Sequence, residues 1–184
     1  MSLATYGGLK SAVGLWLNRS DLTSYIPDFI RLGEQRINYG ADVPLPSQPL
    51  RIPAMQAQAT GSIVSSAIAF PTRFLEPIRI AASSGGSDWS LEYVSPERYS
   101  EYSNTSGVPV VYTYLNNQIQ LAGSGSASYI LDYYQAFAGL TGDTDTNWLL
   151  TNAQDLYLYA ACLEGAKYVR NVEQVASLSS FVVT

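Results

Sequence analysis

Apolar residues recur at three- and four-residue steps in three places along the chain, and between the second and the third the period drops to two. The longest regular stretch is 147–169, NWLLTNAQDLYLYAACLEGAKYV. Leu156, Tyr159, Leu163 and Ala166 draw one apolar stripe there, and Ala160, Ala161 and Gly165 are small neighbours that let another helix come close. Asn152 is placed to cap the start by accepting a backbone N–H. Asp155 brings negative charge to the positive end of the dipole, and Lys167 and Arg170 fall in the last turn, beside the free carbonyls. The pattern predicts a core-forming helix. Near the N-terminus Thr5 precedes Leu9, Val13, Trp16 and Leu17, which predicts a capped helix to about residue 17 despite the propensity cost of Gly7, Gly8 and Gly14. After a polar break at 18–23, Pro27 suits a first helical turn. Ile26, Phe29, Ile30, Gly33 and Ile37 then form a second stripe that Gly40 ends. Two such helices joined by a short connection make an antiparallel hairpin, and the 147–169 helix is expected in its apolar groove.

The middle of the chain differs in kind. Pro44, Pro46, Pro49 and Pro53 exclude helix over 43–53 and favour an extended connecting arm. Short runs with strand character follow at 55–63, 78–82, 89–94, 110–115, 118–122 and 129–136, each bounded by turn residues. In VVYTYL-NN-QIQLA, Asn116 and Asn117 can take the positive φ that a tight hairpin needs while the flanks alternate. Ser95-Pro96 with Glu97, Arg98 and Glu101 predicts a short capped helix, and the Gly/Ser stretches at 83–87 and 122–128 predict exposed loops. After Val169 the pattern thins. Val172, Val175, Ala176 and Leu178 could continue a helix, but the serines and the closing FVVT are poor helix formers, which predicts an apolar tail in want of a partner or packed back on its own domain. The fold class is therefore α+β: a helical core from 1–42 and 145–184, and a small antiparallel β region inserted at 43–144 with its Pro-rich arm.

Composition narrows the chemistry. With 184 residues the chain can bury a real hydrophobic centre without a metal or disulfide staple. Its single cysteine, Cys162, lies in the apolar helix and reads as a small buried hydrophobe. There is no histidine, which removes the commonest general base and zinc ligand. A net charge of −5 disfavours gripping DNA phosphates. No basic leader and no run of eighteen apolar residues occur, so a soluble product made in the cytoplasm, with no membrane partner, is expected. Fourteen tyrosines against only 14% charged residues suit a surface covered by neighbours, although tyrosines also simply furnish strands.

No catalytic constellation emerges: phosphate loop, dinucleotide fingerprint, paired-cysteine zinc spacing and calcium loop are all missing from the sequence. Asp143 and Asp145 in TGDTDTN offer oxygens to calcium but lack the glycine and terminal glutamate of a calcium loop, so a polar turn ending in a helix cap is the simpler reading. Glu97 with Glu101, or Asp88 with Glu92, would be the carboxylate pairs for a glycosidase, yet nothing around them is desolvating. No cofactor is implied.

Four blocks carry a family likeness: TYGGLKSAVGLWLNRSDLTSYIPDFIRLGEQRIN, FPTRFLEPIRI, LEYVSPERY and NWLLTNAQDLYLYAACLEGAKYV. In order and spacing they resemble tailed-bacteriophage head-to-tail adaptor (connector) proteins, over most of the chain from Thr5 to Val169. The family usually follows its last helix with a longer, charged, tryptophan-bearing helix, where this chain has a short Ser/Val-rich tail. The resemblance implies a non-enzymatic virion protein at the head-tail junction. It would form a ring homo-oligomer, dodecameric in form, beneath the portal protein, continuing the channel for viral DNA and receiving the tail or nozzle protein. On that reading Val175, Leu178 and Phe181 are the candidate portal contacts, and Tyr93, Tyr112 and Tyr114 the candidate inter-subunit or tail contacts. The rival expectation is a glycan-binding module with Trp89, Tyr93, Tyr112 and Tyr114 exposed on one face as a stacking platform.

Overall fold

The structure is a computed structural model that describes residues 3–41, 47–63, 65–102, 106–123, 125 and 127–182. Six helices and eight strands are described, and the fold is α+β. The chain divides into two compact units, Met1–Ala54 with Phe137–Thr184 and the contiguous Met55–Ala136. Residues 47–54 and 137–144, read from the sequence as part of the insertion, thus group with the helices. Of the four arm prolines, Pro44 and Pro46 lie outside the described residues, and Ala41 and Ser47 pair on either side of them.

In the helical unit α1 spans Tyr6–Leu17. Its first three N–H groups are all satisfied: Tyr6 and Gly7 donate to the carbonyls of Asp145 and Asp143 at 2.9 Å, and Gly8 donates to the Thr5 hydroxyl. Leu9, Val13 and Leu17 are buried as the stripe requires, but Trp16 is 52% exposed, its place on the buried face taken by Tyr6 and Ala12. The second helix, α2, spans Ile26–Tyr39 with Pro27 in the first turn and Gly40 in a positive-φ cap. All five of its stripe residues are buried.

The stretch 147–169 is two helices rather than one. Asn147, and not Asn152, is the side-chain cap: its Oδ1 accepts from the Leu150 N–H at 2.9 Å and starts α3, Trp148–Asn152. Asn152 instead donates to the Trp148 carbonyl. Ala153, with φ −140° and ψ 58°, breaks the helix before α4, Gln154–Tyr168. Burial on α4 runs from Tyr157 almost all round to Ala166, so Leu156 and Tyr159 are only half-buried while Tyr157 and Leu158 are inside. The small residues do what their size suggests. A Cβ on Gly33 would sit 3.1 Å from the Ala160 backbone carbonyl carbon, so α2 and α4 pass with nothing to spare. Arg170 lies beyond the helix end, in a left-handed turn with φ 56° that redirects the chain.

After that turn the expected tail is a helix, α5, Val172–Val182. The Asn171 side chain caps it by accepting the Gln174 N–H, which outweighs the weak propensity of its serines. Val175 and Leu178 pack, partly buried, against the same core as Leu17, Cys162 and Phe29.

The second unit has two four-stranded sheets around one apolar core built from Ile80, Leu131 and Tyr133 of one and Ile68, Ile119 and Leu121 of the other. Numbered in chain order, the strands are β1 Gln56–Ser62, β2 Ala67–Ala69, β3 Phe74–Ser84, β4 Ser87–Ser90, β5 Glu92–Tyr93, β6 Val111–Leu115, β7 Gln118–Ala122 and β8 Ser128–Gln135. The sheet orders are β1-β8-β3-β4, all antiparallel, and β2-β7-β6-β5, in which β5 and β6 run parallel. That parallel pair and the short β2 depart from the expected antiparallel set, and the run 89–94 is split in two at Leu91. Asn116 and Asn117, at φ 53° and 57°, make the β6–β7 hairpin as expected. Gly85 and Gly86 form a two-residue turn, so the Ser83–Ser87 "loop" is mostly strand. The short helix Pro96–Tyr102 is present, with the Ser95 hydroxyl facing the Arg98 N–H, although none of its residues is buried.

Candidate interaction surfaces

The residues weighed for chemistry are occupied in holding the fold. The Asp143 carboxylate pairs with Lys10 at 2.6 Å. Asp145 Oδ2 accepts from the Thr141 N–H, the Thr141 hydroxyl and the Gly142 N–H, and these bonds hold its pKa below the usual carboxylate range. The pair makes a polar turn over the start of α1, and no cluster of three or more metal-ligating side chains is found among the described residues. Asp88, Glu92, Glu97 and Glu101 are all exposed. Cys162 is buried, and burial pushes its thiol up to about 12.

Sequence reasoning missed two polar groups in the helical unit, one buried and one partly buried. Arg36 Nε donates to Glu164 Oε1 at 3.0 Å with both side chains under a tenth exposed, and Lys167 closes on Glu164 at 2.6 Å. Tyr157 donates to Glu34, whose carboxyl is raised by burial and only partly brought back by that bond; the Tyr157 hydroxyl is pushed up by the same burial. A cavity of about 30 Å³ adjoins them, lined by Glu34, Asn38, Asn147 and Tyr157, and the buried Asn38 Oδ1 has no protein partner. Both groups tie α2 to α4. A lone glutamate inside AACLEGA was the available signal for the first.

What the helical unit offers outward is aromatic. Trp16, Tyr159 and Phe181 form a row across α1, α4 and α5, with ring centroids 5.5 and 5.1 Å apart. Phe181 is 56% exposed, whereas Val175 and Leu178 face inward, so the three tail residues singled out in the sequence do not share one surface. A second patch stacks Tyr25 on Tyr168 at 5.4 Å, both substantially exposed. Tyr159 and Tyr168 are nine positions apart on one helix, so at about 100° per residue they leave α4 on nearly opposite sides. A groove of about 590 Å³ beside α1 is lined by Gly7, Ser11 and Gly14, but Gly7 is needed against Asp143 and Gly14 against Ile26.

In the β unit Tyr93, Tyr112 and Tyr114 do come together, with centroids 5.6 to 5.7 Å apart. Tyr112 and Tyr114 lie opposite Leu121 and Ile119 on the core-facing side of their sheet and are half-buried, and burial raises the Tyr114 hydroxyl. Tyr93, at the edge strand β5, is 51% exposed. Trp89 is apart from them, its indole N–H donating to the Pro109 carbonyl at 2.7 Å. The flat exposed platform of four rings expected for glycan stacking is therefore not what these residues form.

A family model described as SU10 adaptor protein matches residues 4–181, running from the cap of α1 through the whole β unit into α5. The chain belongs to the SU10 adaptor protein family. This is a head-to-tail adaptor family of bacteriophages, as the four sequence blocks suggested. A comparison with curated proteins found no match. Among the described residues no helix is long and apolar enough to cross a membrane.

Proposed function

We propose that this adaptor assembles as a closed ring beneath the portal vertex, continues the channel through which viral DNA passes, and receives the tail or nozzle protein on its other side. The observation that carries the reading is the pair of exposed aromatic patches on opposite sides of α4. A ring is a head-to-tail contact repeated about an axis, so each subunit needs two different adhesive faces, and aromatic residues are enriched where surfaces are covered. Tyr93, with Tyr112 and Tyr114 behind it, adds a surface in the β unit for a neighbour or the tail. The net charge of −5 suits a channel wall that lets DNA slide without holding its phosphates.

Phe181, at the exposed end of α5, is assigned to the portal; Val175 and Leu178 support it by seating the helix. Co-sedimentation of the purified chain with the portal protein of the same genome tests this, with subunit counting in the complex. Wild type is expected to form a symmetric ring on the portal, and Phe181→Asp to lose at least tenfold in binding with an unchanged melting temperature. Deleting residues 172–184 also removes cover from Cys162, so the point variant decides. Full binding by Phe181→Asp overturns the portal contact, and failure of wild type to bind under several salt conditions overturns the adaptor-ring assignment.

A further inference from the structure

The sheet β1-β8-β3-β4 ends on β1, a seven-residue strand, QAQATGS, that pairs only with β8. Its register joins Gln56 to Tyr134 and Ser62 to Ser128, and the Ile63 N–H donates to the Ala127 carbonyl in the same register. Because bonded and outward-facing residues alternate in an antiparallel ladder, Ala57, Ala59 and Gly61 spend their backbone groups on β8. Gln56, Gln58, Thr60 and Ser62 therefore turn their N–H and C=O groups outward. Among the described residues no hydrogen bond reaches these groups. Edges of this length are normally blunted by lysine, proline, a bulge or a covering segment, and β1 has no charge, no proline and no bulge.

We infer that this edge is completed by β4 of a second copy of the same chain, so that successive subunits share one continuous sheet. The inference rests on the ring reading above. Three features select this occupant. The other end strand of the same sheet is β4: the Leu91 N–H donates to the Ile80 carbonyl, so the backbone groups of Asp88 and Ser90 turn away from β3. Four strands, all antiparallel, leave β1 and β4 running in opposite directions, so a copy placed alongside in the same orientation meets β1 antiparallel, and the pattern continues without a fault. Two unlike edges on one sheet make the head-to-tail contact that closes into a ring, where β1 meeting β1 would stop at a dimer. The rows that would extend across the seam are already compatible. Gln58, Asp132 and Arg79 form a hydrogen-bonded polar row at 2.7 and 2.9 Å, and Thr60, Ile130, Ala81 and Ser90 lie in line beside it.

The test is disulfide trapping in the full chain assembled on the portal protein of the same genome. Directly opposed antiparallel residues have Cα atoms about 4.5–5.5 Å apart, within disulfide reach, and the one native cysteine is buried. Gln58→Cys and Thr60→Cys are each combined with Asp88→Cys. A ladder of covalent oligomers from one of the double variants, and none from the single variants, is expected. Thr60→Lys should lower the ring yield at least tenfold with an unchanged melting temperature, and Thr60→Ser should restore it. If Thr60→Lys does not fold, trapping alone decides. Cross-linking by Gln58→Cys or Thr60→Cys alone means that β1 meets β1 and overturns the proposal. A normal ring without any ladder overturns the seam but leaves the ring standing. Absence of a ring in wild type removes both.

Discussion

The helical unit and the β unit solve the problem of a stable interior in different ways. Between α2 and α4 the helical unit holds a buried ion pair and a partly buried tyrosine–carboxylate bond, and the starts of α1, α3 and α5 are capped by Thr5, Asn147 and Asn171, with two returning carbonyls at α1. The β unit buries an apolar core under two small sheets with, among the described residues, no ion pair inside it, and the first sheet ends on β1 and β4. Each unit leaves one buried oxygen without a protein partner among the described residues, the Thr113 hydroxyl here and Asn38 Oδ1 in the helical unit. Buried polar pairs stabilise little against an apolar alternative, but they penalise every arrangement that separates them. The helical unit is thus specified by its interior, while the β unit keeps unspent bonding capacity at its margin, where a neighbouring subunit can use it.

The comparison is broken most directly at Glu164. Glu164→Ala takes the buried carboxylate away from both Arg36, which keeps its bond to the Ser47 hydroxyl, and Lys167, and a loss of about 3 kcal/mol is expected, read as a shift in urea unfolding by far-UV circular dichroism. A loss under about 1 kcal/mol, the range of exposed pairs, would mean the charges do not set this unit apart. Replacing both partners by apolar residues, Arg36→Met with Glu164→Leu, should recover most of it.

A smaller effect of opposite sign is expected in the β unit. Thr113→Val keeps the shape and removes the unpaired hydroxyl, so a gain of about 1 kcal/mol should appear in the same measurement. A loss would show that the hydroxyl has found a partner inside the sheet.

The smallest effect concerns pH. Burial raises the Glu34 carboxyl above its unfolded value, so folding favours its protonated form. Its contribution is full below the ordinary carboxylate range and is lost as pH rises through the raised value. Glu34→Gln, which stays neutral and can still accept from Tyr157, should therefore gain melting temperature over wild type at neutral pH, with the difference closing on acidification. A difference that does not vary with pH would show that Glu34 ionises as freely as an exposed carboxylate.

Much of this was legible in the chain, and the failures have physical causes. The stripes of α1 and α2 and the Asn116-Asn117 hairpin follow from periodicity and turn chemistry, which are local. Two asparagines five positions apart offer the same capping chemistry, and burial of Leu149 and Leu150, which only packing supplies, selects Asn147 over Asn152. The tail is a helix because Asn171 caps it at the Gln174 N–H, and that local signal outweighs the weak propensity of a few serines. Among the surface residues, alternation put Tyr112 and Tyr114 on one side, but only the register with Leu121 and Ile119 shows that this side faces the core. The open edge of β1 had no signature, since an edge is defined by the strand that is missing.

The turn at Thr141–Asp145 has a consequence for biosynthesis. Its two carbonyls hold the N–H groups of Tyr6 and Gly7, so α1 is finished only by residues made some 140 positions later. The contiguous segment Met55–Ala136 has no such wait. At about 5–20 residues per second, α1 and α2 stay without their α4 partner for several seconds while the β unit is free to fold. The helical unit therefore cannot be completed until the whole β unit has been synthesised.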